Sequence, residues 1–137
     1  MKVISDDIKK GEFKSVYLLY GEEEYLKKQY RDRLKNAIAG DDTMNYSYYD
    51  SDNASVKDII DVCETLPFFA QKRLVIMENT GFLKSSNDEL ADYIKHIPDY
   101  LVIVMVEKDV DKRNKVYKAV DSCLLYTSPS PRDRSVS

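Results

Sequence analysis

An apolar run, a glycine, and a lysine six residues further on make the outline of a phosphate-binding loop. The run is Gly21-Glu22-Glu23-Glu24-Tyr25-Leu26-Lys27-Lys28. In such a loop the backbone amides and the following helix N-terminus cradle phosphate, the lysine neutralises it, and a hydroxyl holds magnesium. Against the pattern G-x-x-x-x-G-K-S/T, Gly21 and Lys27 fall in place. Leu26 replaces the second glycine and Lys28 replaces the hydroxyl. Glu22, Glu23 and Glu24 occupy the place of a triphosphate. Each such charge costs on the order of 1 kcal/mol or more near phosphate, even when solvated. The residues thus describe a phosphate-loop scaffold that does not bind ATP in the usual way, and no cofactor is expected. The apolar run Val75-Ile76-Met77 ends in Glu78-Asn79, a single carboxylate where two would hold magnesium. Glu107-Lys108-Asp109, after another apolar run, offers no polar residue placed to sense a γ-phosphate. Two nucleotide or phosphate chemistries remain as alternatives. One is an active P-loop enzyme domain. The other is a receiver-type acidic pocket of Glu22, Glu23 and Asp50, which lacks an acceptor aspartate at Met77-Glu78.

A second constellation has no catalytic chemistry. Leu66-Pro67-Phe68-Phe69-Ala70-Gln71-Lys72-Arg73 joins a helix pattern to a strand pattern. Pro67 ends the preceding helix, because it lacks an amide donor and pushes residue 66 out of the helical region. Adjacent phenylalanines in a turn do not both enter one core easily. They either cap their own core, as most apolar residues do, or plug a pocket on another protein.

The elements that position these groups follow from spacing. Ile4 to Lys10 reads as a short helix, with Ser5 as cap, Asp6 and Asp7 in its first turn and Gly11 as stop. Val16 to Tyr20 is a buried strand. Glu22 to Ala39 is a long helix, with Tyr25, Leu26, Tyr30, Leu34 and Ile38 recurring at helical intervals. Asn45 to Tyr49 is a second strand. Ser55 caps a helix whose apolar positions are Val56, Ile59, Ile60, Cys63 and Leu66, so Cys63 is a core thiol. Leu74 to Met77 is a third strand, and a helix near Asp88 to Ile97 places His96 at its C-terminal end, where it complements carbonyls. Tyr100 to Val106 is a fourth strand, and Lys112 to Val120 a last helix. Strands alternating with helices predict an α/β fold, with a parallel sheet and right-handed crossovers.

Composition narrows the class. The 137 residues are one domain long, with 43% hydrophobic and 33% charged residues, which suits a folded chain. A net charge of −3 argues against a nucleic-acid backbone as main partner, so DNA contact is expected to be indirect or weak. Cys63, Cys123 and the lone His96 have no metal-ligand spacing, and no metal is expected. There is no bilayer-length apolar run and no signal-type segment, so no membrane partner and a cytoplasmic location are expected.

Residues 123–137 break the pattern. Cys123 to Asp133 is rich in Pro and Ser, without period, and is similar to translated transposon-end adapter. The expectation is a domain over residues 1–122 and an artefactual, disordered tail over 123–137. Setting aside the tail's two arginines and one aspartate takes the net charge from −3 to −4.

Three blocks in order resemble the delta-subunit family of bacterial DNA polymerase III, the clamp loader. They are Phe13 to Leu26, Leu66 to Met77, and Asp111 to Lys118. The resemblance covers residues 1 to about 122. It implies an AAA+-like domain of P-loop NTPase type with a degenerate ATP site. Family members bind the ring-shaped sliding clamp (beta) and help open it, through an apolar wedge matching Phe68 and Phe69. Leu66 and Pro67 would shape the corner, and Gln71, Lys72 and Arg73 would form its rim. The resemblance also implies that the chain stops before the sheet's last strand. The collar that joins delta to the other loader subunits would be missing, as would the lid. A generic α/β interaction domain with no replication role remains the third alternative.

Overall fold

In a computed structural model, residues 2–40, 44–52, 55–67, 72–85 and 87–123 are described. Four strands form one parallel sheet: β1 (Val16–Tyr20), β2 (Tyr46–Tyr49), β3 (Arg73–Glu78) and β4 (Leu101–Glu107), in the order β1-β4-β3-β2. The helices are α1 (Lys2–Lys10), α2 (Glu24–Ile38), α3 (Val56–Cys63), α4 (Asp88–Ile94) and α5 (Lys115–Cys123). Val75 of β3 sits opposite Ile103 of β4, and Val16 of β1 opposite the same residue on the other side.

The two central strands are apolar at nearly every position because both faces are covered. Leu74 and Ile76 of β3, with Val102, Val104 and Val106 of β4, face one layer, where Leu34, Tyr30 and Ile38 of α2 and Ile8 of α1 pack. Val75 and Met77, with Ile103 and Met105, face the other. There they meet Ile59 and Cys63 of α3, Leu90, Ala91 and Ile94 of α4, and Val116, Ala119 and Val120 of α5. Period two along each strand thus separates two cores. Cys63 is fully buried, and burial pushes its thiol up to about 12, as suits a core thiol. Asp7 and Tyr17 join α1 to β1: the Tyr17 hydroxyl donates to Asp7 at 2.7 Å, and Lys14 approaches the same carboxylate at 3.2 Å.

Several boundaries differ from the expected ones. Helix α1 begins at Lys2, so Ser5 does not cap it, and Asp7 serves Tyr17 and Lys14 instead of a helix terminus. Ser55 stands at the start of α3 but makes no capping hydrogen bond. Helix α4 is capped by the Asn87 side chain, which accepts from Leu90 N at 3.0 Å. It stops at Ile94, which leaves His96 two residues past its end, in a turn. Helix α3 stops at Cys63, and Leu66 leaves its apolar face to stand 70% exposed. Among the described residues β1 and β2 are the sheet's edges, and no helix is long and apolar enough to cross a membrane.

Candidate functional site

The sheet presents two sites at opposite ends of β3. Its C-terminal end carries Glu78, its N-terminal end Arg73, about 17 Å apart at the usual strand rise.

At the C-terminal end, β1 runs into Gly21, whose φ of +129° is a conformation that side chains avoid. Its amide donates to the Lys108 carbonyl at 3.2 Å, and α2 begins three residues later at Glu24. Glu22, Glu23 and Glu24 are exposed, as are Leu26 and Lys28. Lys27 is not: it is 5% exposed and turned inward. Its Nζ donates to Glu24 Oε1 at 2.7 Å and to the Glu107 carbonyl at 3.1 Å. The bond from Lys27 holds the Glu24 carboxyl below its usual range. Glu78, the lone carboxylate at the end of β3, accepts from Arg31 Nη1 at 2.6 Å and from the Tyr48 hydroxyl at 2.5 Å. That bond to the Glu78 carboxylate, more than burial, pushes the Tyr48 hydroxyl up to about 12. Arg31 also reaches Asp32 at 3.0 Å. An open cleft of about 450 Å³ lies between α2 and the ends of β3 and β4, lined by Lys28, Arg31, Glu78 and Asn79 among others. The lysine and carboxylate at phosphate-loop positions are therefore both engaged within the chain.

Strand order removes the receiver-type pocket. Glu22 and Glu23 follow β1, while Asp50 follows β2, and two strands stand between. Three inter-strand steps separate them by about 14 Å. Asp50 instead accepts the Asp52 amide at 2.9 Å in its own turn. Among the described residues no cluster of His, Cys, Asp and Glu is arranged to hold a metal.

Glu107 closes β4. It is buried, and its Oε2 accepts from the Thr80 amide and hydroxyl, each at 3.2 Å. Burial raises its carboxyl above the usual 4.5, against the pull of the Thr80 and Gly81 hydrogen bonds and of Lys27. The folded chain then binds that proton more readily than the unfolded one. Its contribution to stability is greatest below the unfolded pKa and falls as pH rises toward the folded one. Glu107→Gln keeps an acceptor for Thr80 and is expected to remove this descent. The variant's unfolding free energy should gain on the reference as pH rises from about 4.5, in urea titrations at stepped pH. A gap independent of pH would show that this carboxyl does not titrate there.

At the N-terminal end of β3 lies the corner. Leu66 is exposed and Pro67 half-buried. Phe68, Phe69 and Gln71 lie outside the described residues. Lys72 donates to the Asp99 carbonyl at 2.7 Å. Arg73, expected at a solvated rim, is only 6% exposed. Its Nε donates to the Thr65 carbonyl at 2.8 Å and its Nη2 reaches the Leu66 carbonyl at 3.5 Å. The Tyr100 hydroxyl donates to the Cys63 carbonyl at 3.1 Å. Local sequence pattern does not mark Tyr48, Thr80 or Tyr100 as site residues. Arg31 alone had a local signal, one helical turn beyond Lys27.

Comparison with known proteins agrees with this geometry. The family model described as DNA polymerase III, delta subunit, matches residues 17–127. The DNA polymerase III subunit delta of Bacillus subtilis (strain 168) is 32% identical over 126 residues, spanning 82% of this chain and 36% of that protein. The solved structure of the Bacillus subtilis DNA clamp loader delta protein superposes with a TM-score of 0.77 at 30% identity, over 88% of this chain and 39% of that one. A DNA polymerase III gamma subunit-related protein from Thermotoga maritima gives a TM-score of 0.65 over 87% of this chain and 43% of its own. At 13% identity it speaks for the fold alone. The AAA+-like parallel α/β class expected from the sequence stands. The chain spans little more than a third of the length of either Bacillus relative.

Proposed function

The chain belongs to the DNA polymerase III delta-subunit family, and from that premise we propose that it is the clamp-binding, non-hydrolysing part of a clamp loader. One observation carries the reading: the Leu66-Pro67 corner leaves the core and presents a large aliphatic side chain to solvent, at the root of the segment holding Phe68 and Phe69. The wedge Phe68-Phe69, with Leu66 and Pro67 beside it and Gln71 and Lys72 at its rim, enters an apolar groove on the sliding clamp. The segment acts by differential affinity. It binds the distorted interface of an opened ring better than that of a closed one, and only that difference moves the ring's equilibrium. ATP supplies nothing at this subunit's own loop, because Lys27 and Glu78 are held by the chain and Glu22 to Glu24 repel phosphate. DNA is met indirectly or weakly, in keeping with a net charge of −3.

The test is capture by immobilised clamp in two forms, the closed ring and a monomer made by substitution at the ring interface. The 137-residue chain should bind both, and the monomer about tenfold tighter, a difference of about 1.4 kcal/mol. Equal affinities would overturn ring opening by this segment, and no binding to either would overturn the clamp reading. A rise in melting temperature with magnesium-ATP would overturn the inert-loop reading.

A further inference from the structure

We propose that Arg73 and Tyr100 are positioning residues for the clamp contact, a brace that fixes the root of the wedge segment before any partner arrives. The proposal rests on the clamp reading above and names the residues that regulate its geometry.

The last carbonyls of a helix have no partners within it. Many helices satisfy them with a glycine cap or with water. Here no glycine follows α3, and the residues after it are Glu64-Thr65-Leu66-Pro67. Within the turn the Glu64 and Thr65 amides take the carbonyls of Ile60 and Val62, and the Thr65 hydroxyl takes that of Asp61; the carbonyl of Cys63, and those of Thr65 and Leu66 beyond the helix, are answered by side chains at the start of the sheet. Tyr100, just before β4, takes that of Cys63 at 3.1 Å. Arg73, the first residue of β3, takes those of Thr65 at 2.8 Å and Leu66 at 3.5 Å. A guanidinium suits this task, since it is a fork of donors and a cation at the negative end of a helix.

The topology gives the bonds a further consequence. Arg73 closes the segment on itself, because it follows the wedge while Thr65 and Leu66 precede it. Its own amide donates to the Tyr100 carbonyl at 2.8 Å, so the two braces are joined to each other. Both entry and exit of the segment are thereby fixed to the N-terminal ends of β3 and β4. A segment held at its root loses less freedom on binding, and affinity gains by that amount. Arg73 therefore contributes to binding from inside the fold, without touching the clamp.

Two conservative variants of the 137-residue chain test this. Arg73→Lys keeps the charge and loses the fork, and Tyr100→Phe loses one hydroxyl. Amide hydrogen exchange should quicken at residues 64–66 in both, while β3 and β4 amides keep the reference rates. Affinity for immobilised clamp should fall about five- to tenfold. Unchanged exchange at 64–66 overturns the brace. Quickened exchange with undiminished capture overturns its role in binding. If Arg73→Lys quickens exchange across β3 and β4 as well, it has lost fold, and Tyr100→Phe decides the matter. Absence of capture by the unsubstituted chain would overturn the clamp reading itself, while the exchange rates still judge the brace.

Discussion

Replacing Phe68 and Phe69 together with alanine is expected to weaken capture of the sliding clamp about a hundredfold. Burying two phenylalanine side chains in an apolar pocket supplies roughly 3–6 kcal/mol before ordering costs. Taking the lower end, and about 1.4 kcal/mol for each tenfold, gives a hundredfold. Leu66→Ala should cost less, since a leucine beside the wedge covers less area. Phe82→Ala is the control. Phe82 is half-buried against the core of α3, α4 and α5, so its loss belongs to stability and not to capture. Affinity would be read by surface capture of soluble chain on closed-ring clamp, with an unfolding transition recorded for each variant. Undiminished capture by the double variant would end the wedge assignment. Capture lost equally with Phe82→Ala would trace the effect to the fold.

The contrast between the two sites shows what the sequence alone makes legible. The strands were plain, because an unbroken apolar run such as Leu101 to Val106 suits only a chain segment covered on both faces. Their order was not. Alternating strands and helices are compatible with many arrangements, and only the order β1-β4-β3-β2 separates Asp50 from Glu22 and Glu23. Spacing placed Lys27 where a phosphate-binding lysine would stand, yet said nothing of where its ammonium turns. That depends on the Glu107 carbonyl, 80 residues away. Arg73 failed in the opposite sense. Charge beside a turn suggests solvent, but unpaired carbonyls after Cys63 draw the guanidinium inward. Leu66 kept helical spacing with Cys63, but the helix stopped first, and the residue turned outward. In each case the sequence showed the local pattern, and what the fold placed around the residue decided the outcome.

Lys27→Ala is expected to lower the unfolding free energy by about 2–5 kcal/mol, and to do so without creating a nucleotide site. The estimate has two parts. A buried carbonyl left without its donor costs about 1–3 kcal/mol. Loss of the packed four-carbon stem adds on the order of 1–2 kcal/mol. Lys27→Met keeps most of the stem and should show only the first part, so its own loss reports the ammonium and the difference between the two variants isolates the stem. Urea titration followed by far-ultraviolet dichroism suffices to measure both. Neither variant should gain a magnesium-ATP shift in melting temperature, since Glu22, Glu23 and Glu24 still face any triphosphate. The two outcomes are linked by one physical choice. An ammonium that stabilises the fold by filling the Glu107 carbonyl is not free to neutralise phosphate. If Lys27→Met unfolds at the same urea concentration as the reference, the ammonium contributes nothing internally and is available for a ligand. The inert-loop reading would then lose its physical basis, and a nucleotide at this subunit would have to be considered again.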